Sequence, residues 1–90
     1  MESPRLTAFN RLFHCPVRKK IVEQLSRKEV TDCIRFIASH DHLNYAEFSF
    51  ELARWHLDIP ERPKHWVSMW AAVSEANSIL FKKRSRNVGQ

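Results

Sequence analysis

The stretch NYAEFSFELARWHLDIPERP, residues 44–63, decides the fold class. Asn44 followed by Glu47 is a capping-box pattern, in which the Asn side chain accepts from the backbone N–H three residues on and the Glu reaches back to the cap. Tyr45, Phe48, Leu52 and Trp55 then recur at steps of three, four and three, the period of one helical face. Phe50 and Leu57 are read as widening that stripe. Pro60 and Pro63 forbid continuation, so the helix ends by Asp58. A further helix opens near Lys64, with Trp66, Met69, Trp70, Val73, Ala76 and Asn77 on its buried face. Ile79, Leu80 and Phe81 either complete that helix or begin a short strand.

Working upstream, Ser26 and Glu29 repeat the capping pattern and start a helix whose stripe is Val30, Cys33, Ile34 and Ile37. A single longer helix through Ser26 also fits, since Leu25, Glu29, Cys33 and Ile37 keep a four-residue step; a break near Ser26 is preferred. Residues 39–44 form a polar connection. Pro16 suits the first position of a preceding helix. Val17, Ile21, Val22 and Leu25 line one side of it, and Arg18, Lys19 and Lys20 the other. The segment Met1–Cys15 carries Leu6, Phe9, Leu12 and Phe13, which suit a short amphipathic turn or a partly ordered arm.

Ninety residues are the size of one domain, 43% hydrophobic and 28% charged. The one Gly, Gly89, is terminal, so the Gly-dependent hairpin turns of small β domains are missing. The expected fold is therefore all-α: a helix-turn-helix-like bundle of about four helices, with a short β element or wing near the C-terminus left open. Residues 85–90 read as a frayed tail. No apolar run reaches the ~18 residues of a membrane span, and no signal-peptide core is visible.

Fifteen Lys and Arg against ten Asp and Glu leave a net charge of +5, a balance that suits a polyanion. Lys82, Lys83, Arg84 and Arg86 cluster with no acid after Glu75, and such residues supply phosphate contacts through counterion release. In a helix-turn-helix the second helix reads base edges with its N-terminal half. Here helix 64–78 would enter the groove, with Lys64, His65, Ser68, Ala71, Ala72 and Glu75 facing outward. Arg62 in the turn suits a phosphate, while His65 and Ser68 suit base contacts. The three Trp, together with Phe48, Phe50 and Phe81, read as core.

No cofactor is expected. His40, Asp41 and His42 form the densest His group, but zinc wants four ligands at recognisable spacings, so they read as a polar loop and no metal site is expected. Cys15, ahead of Pro16, sits where a helix N-terminus lowers a thiol pKa, and Cys33 lies on an apolar stripe. Two Cys are too few for a disulfide scaffold and read as reduced thiols. Glu47 and Glu51 share a helix face as solvated carboxylates. No phosphate loop, nucleophile elbow or zinc-protease helix is present, so no enzyme is expected.

The order of features from residue 48 to 86 resembles the winged-helix domains of small bacteriophage and mobile-element proteins. The corresponding stretches are Phe48–Ala53, Ile59–Pro63, Trp70–Val73 and Ile79–Lys83. Ala71 and Ser78 stand where such domains often carry Gly. The resemblance implies a strand and a basic wing after the second helix, and DNA as the ligand.

The leading expectation is thus a non-catalytic, cytoplasmic or nucleoid-associated protein that binds nucleic acid, most naturally duplex DNA. Its contacts would be Arg62, Lys64, His65, Ser68, Lys82, Lys83, Arg84 and Arg86. The alternative is a small phage or bacterial adaptor or inhibitor that binds an acidic surface of a larger protein machine. A homodimer is compatible with either, with Phe9, Leu12 and Phe13 as the dimerisation element. Buried aromatics under a basic face favour nucleic acid; a contiguous exposed aromatic patch favours a protein partner or a second copy.

Overall fold

The protein is described here by a computed structural model covering the backbone of residues 3–88 and the side chains of residues 3–81. It contains five helices: α1 (Pro4–Leu12), α2 (Lys19–Glu23), α3 (Arg27–His40), α4 (Tyr45–Asp58) and α5 (Trp66–Val88). No strand occurs among the described residues. The all-α class is as expected, but the strand or wing is not formed, because Ile79, Leu80 and Phe81 continue α5.

The starts of α1, α3 and α4 have a local cause. Ser26 accepts from the Glu29 backbone N–H at 3.1 Å while Glu29 accepts from Ser26 N at 2.8 Å. Asn44 and Glu47 form the same reciprocal pair at 2.8 and 3.1 Å. The break at Ser26 is therefore real, and α2 and α3 are separate. Ser3 caps α1 through Leu6 N, with Pro4 in the first turn. Pro16 instead lies in the turn ahead of α2, whose cap residue Arg18 makes no side-chain cap bond. The turns need no left-handed residue: no described residue has positive φ. A chain with one Gly can close all its connections on those terms.

α5 is the hub of the fold. It packs against all four other helices, most extensively against α1. Trp66, Met69, Ala72, Val73, Ala76 and Asn77 are its buried positions. Around it stand Phe9, Leu12, Val22, Cys33, Phe36, Ile37, Phe48 and Leu52. Phe36 stacks on Trp55 at 4.4 Å and meets Phe48 edge-on at 5.4 Å. Full burial of each such side chain contributes roughly 1.5–3 kcal/mol.

Several expected positions are corrected by this arrangement. In the N-terminal segment, Phe9 and Leu12 of α1 are buried in the chain's own core and Phe13 is half-buried. Val17 is exposed, and on α3 it is Phe36 rather than Ile34 that is buried. Ala72, expected outward, is wholly buried. Phe50, Leu57, Trp70 and Phe81, expected in the core, are exposed.

Candidate protein-interaction face

Phe50 lies two residues from both Phe48 and Leu52, which puts it about 200° around the helix from each at 100° per residue. Phe48 and Leu52 are buried, so Phe50 points away from the core. Ala46, Ala53 and Leu57 share its side at steps of four, three and four, and all four residues are exposed. On the antiparallel α5, Val67 and Trp70 continue this face, with Ser74 between them and Phe81. Phe50 is 63% exposed, Leu57 76%, Val67 78% and Trp70 42%, so the face is apolar surface rather than the edge of the core. Exposed Arg54 and Glu47, four and three residues from Phe50, border it.

A groove of about 450 Å³ runs along this face, lined by Ala53, His56, Leu57, Trp66, Val67 and Trp70. Two of its polar atoms satisfy each other. The Trp66 indole Nε1–H donates to His56 Nδ1 at 2.6 Å, and the two rings stack at 5.7 Å. His56 is thereby held as the tautomer that carries its proton on Nε2. What remains is a shallow slot with apolar walls, the form that takes a side chain rather than a small polar metabolite.

The residues expected to contact nucleic acid fall differently. Arg62 and Lys64 are exposed in the α4–α5 turn, where Arg62 donates to the His56 carbonyl at 3.2 Å. His65 is half-buried and engaged: its backbone N–H and its Nδ1 each meet a Glu29 carboxylate oxygen at 3.1 Å. Desolvation raises the Glu29 carboxyl, but hydrogen bonds from Ser26 and His65 outweigh it and hold it at about 2. Ser68 is half-buried. The side chains of Lys82, Lys83, Arg84 and Arg86 lie outside the described residues. The helix expected to enter a groove is thus the central element, and the exposed part of its first turns is Val67 and Trp70.

A second groove, of about 580 Å³, runs between α3 and α4 above the Phe36–Trp55 stack. Its charged rim is largely self-paired, Lys28 with Asp32 at 3.1 Å and Arg54 with Glu51 at 3.4 Å. Among the described residues no three His, Cys, Asp or Glu side chains converge as metal ligands. Cys15 is held below the ordinary thiol range by hydrogen bonds from the Arg18 and Val17 backbones, whereas burial pushes Cys33 up to about 12. No described helix is long and apolar enough to cross a membrane.

The sequence held a signal for this face that residue type concealed. The two-residue offset of Phe50 from the buried stripe, and the return of the same side at Leu57, place both opposite the core. Ala46, Ala53 and Val67 drew no attention because they are small. No protein-family model, curated protein or solved structure matches the chain.

Proposed function

We propose that the chain is a non-catalytic protein-interaction module whose working surface is the outward face of the α4–α5 hairpin. The observation that carries this reading is the uncharged stripe Ala46, Phe50, Ala53 and Leu57 alongside Val67 and Trp70, all exposed. Scattered exposed apolar side chains are ordinary; two adjacent helices sharing one such face are not. A groove flanked by aromatic and aliphatic side chains suits an apolar helix face laid against it. The contact chemistry is packing of Phe50, Leu57 and Trp70, the kind of central anchors that dominate protein interfaces.

A photo-reactive phenylalanine analogue placed at the exposed Phe50, in cells expressing the full chain, tests the reading. The expected result is a protein adduct that Leu57→Asp removes. A mobility shift with random duplex DNA at two salt concentrations supplies the opposing outcome. Salt-sensitive duplex binding that is lost when Lys82, Lys83 and Arg84 are neutralised together, with no protein adduct at Phe50, overturns the proposal in favour of nucleic acid.

A further inference from the structure

We infer that the occupant of this face is a second copy of the chain, docked about a two-fold axis that sets α4 against the partner's α4 and α5 against its counterpart, each pair antiparallel. The inference rests on the protein-interaction reading above and names its partner. A two-fold interface must be self-complementary, because one patch meets itself. Along α4 the exposed stripe alternates small and large: Ala46, Phe50, Ala53, Leu57. An axis passing between Phe50 and Ala53 puts Phe50 opposite the partner's Ala53 and Ala46 opposite the partner's Leu57. Every large side chain then meets a small one, the condition for interdigitation without voids.

The same axis suits α5. The contacts of Tyr45 with Phe81 and of His56 with Trp66 fix the level of the two helices. They place the middle of the α4 stripe within about a turn of Ser74. Across an axis near Ser74, Trp70 falls opposite the partner's Ser78 and Val67 opposite the partner's Phe81. The Ser78 hydroxyl is already bonded to the Glu75 carbonyl at 2.8 Å, so covering it leaves that donor satisfied.

On α4 the charges suit the antiparallel axis, although on α5 the same register sets Lys64 level with the partner's Arg84. Glu47 and Arg54 are both exposed and sit seven residues apart on one flank of α4; Glu47 keeps one carboxylate oxygen beyond the one that receives Asn44 N, and Arg54 would have to share its guanidinium with Glu51, which it meets at 3.4 Å. Reversal of direction sets Glu47 beside the partner's Arg54, and symmetry repeats the pair, giving two intersubunit ion pairs. Area supports it as well. At roughly 150–200 Å² for a whole apolar side chain, the exposed parts of Phe50, Leu57, Val67, Trp70 and Phe81 supply about 500 Å². A standard interface of about 800 Å² per partner that is about 65% apolar needs a similar amount.

Analytical ultracentrifugation of the full chain over a dilution series is the test. The expected result is a reversible doubling of the 10.7 kDa monomer mass. Glu47→Arg and Arg54→Glu should each weaken association by about tenfold, and the double reversal should restore it. Ala53→Phe should weaken it, and Ala53→Phe with Phe50→Ala should recover it. Glu47→Arg also opens the α4 capping box, so circular dichroism and urea midpoints at concentrations too low for association would verify that each variant keeps its helices and how much monomer stability it loses. A wild-type chain that stays monomeric at every concentration overturns the inference, as does a dimer indifferent to these substitutions. The near-isosteric crosslinker at Phe50 separates the two levels of the argument. An adduct at twice the chain mass supports the second copy. A heavier protein adduct overturns it while leaving the interaction reading intact, and no adduct overturns both.

Discussion

The Arg5 guanidinium Nε donates to Asn77 Oδ1 at 3.1 Å, tying together residues 72 positions apart. Arg5 is 1% exposed, and its other donors are also engaged, at Asp41 Oδ1, the Asp41 carbonyl and the Leu43 carbonyl. Its guanidinium carbon lies 4.2 Å from the centre of the Phe48 ring. Asn77 in turn donates to the Tyr45 carbonyl and to Ser49 Oγ. One cation thus fastens α1, the 41–44 turn, α4 and α5 into a unit.

Arg5→Met should therefore destabilise the protein well beyond an ordinary surface change. The substitution keeps the apolar stem but leaves Asn77 and two carbonyls without their donor, and Asp41 without its cation. Breaking one side of such a network costs about 3 kcal/mol or more, a large share of a small domain's stability. Urea denaturation measures it. A loss of under about 1 kcal/mol would mean that water replaces the guanidinium at its acceptors.

Phe48 and Phe50 are a controlled pair, being the same residue type two positions apart on the same helix. Phe48 is fully buried and Phe50 is 63% exposed. Phe48→Ala should cost about 3–5 kcal/mol, whereas Phe50→Ala should stay within about 0.5 kcal/mol at concentrations too low for association. Raising the protein concentration should separate Phe50→Ala from wild type, because any self-association stabilises only the chain that makes it. Equal costs for the two at low concentration would place Phe50 in the core.

The starts of α3 and α4 and the end of α4 were legible because their causes are local. Ser26 with Glu29 and Asn44 with Glu47 are decided within four residues, and Pro60 and Pro63 end α4 wherever the rest of the chain goes. Arg5 was not legible, since its partners Asp41 and Asn77 are brought to it only by the completed fold. Phe50, Leu57 and Trp70 were misassigned for a related reason. Hydrophobicity says that a side chain prefers burial, but only the helical phase relative to Phe48 and Leu52 says whether the chain provides it. His65 likewise read as a free donor until α3 brought Glu29 beneath it.

The two thiols should react very differently. Cys15 is half-exposed with its thiol held low, so a maleimide or disulfide reagent should label it in the native protein. Cys33 is fully buried, with its thiol pushed up to about 12. Its labelling should be slower by at least about a hundredfold and governed by unfolding. Mass spectrometry of labelled peptides reads both rates, and equal rates would show that the core around Cys33 opens freely.

Glu29 gives the fold a defined acid sensitivity. Its carboxylate closes the α3 capping box and also receives His65, so one ionised group holds the start of α3 against the start of α5. Its pKa is about 2, against an ordinary 4.5. A group depressed on folding stabilises the native state above its unfolded pKa, and that contribution is lost as the pH falls through the folded value. Wild-type stability should accordingly decline as the pH drops from about 4.5 toward about 2. Glu29→Gln removes the titrating group while keeping one acceptor oxygen. The variant should be less stable than wild type near neutrality, show a shallower decline through this window, and approach the wild-type curve at its acid end. Urea midpoints measured across the window for both proteins decide the matter. Parallel curves would mean that other carboxylates govern acid unfolding and that Glu29 is not held low by Ser26 and His65.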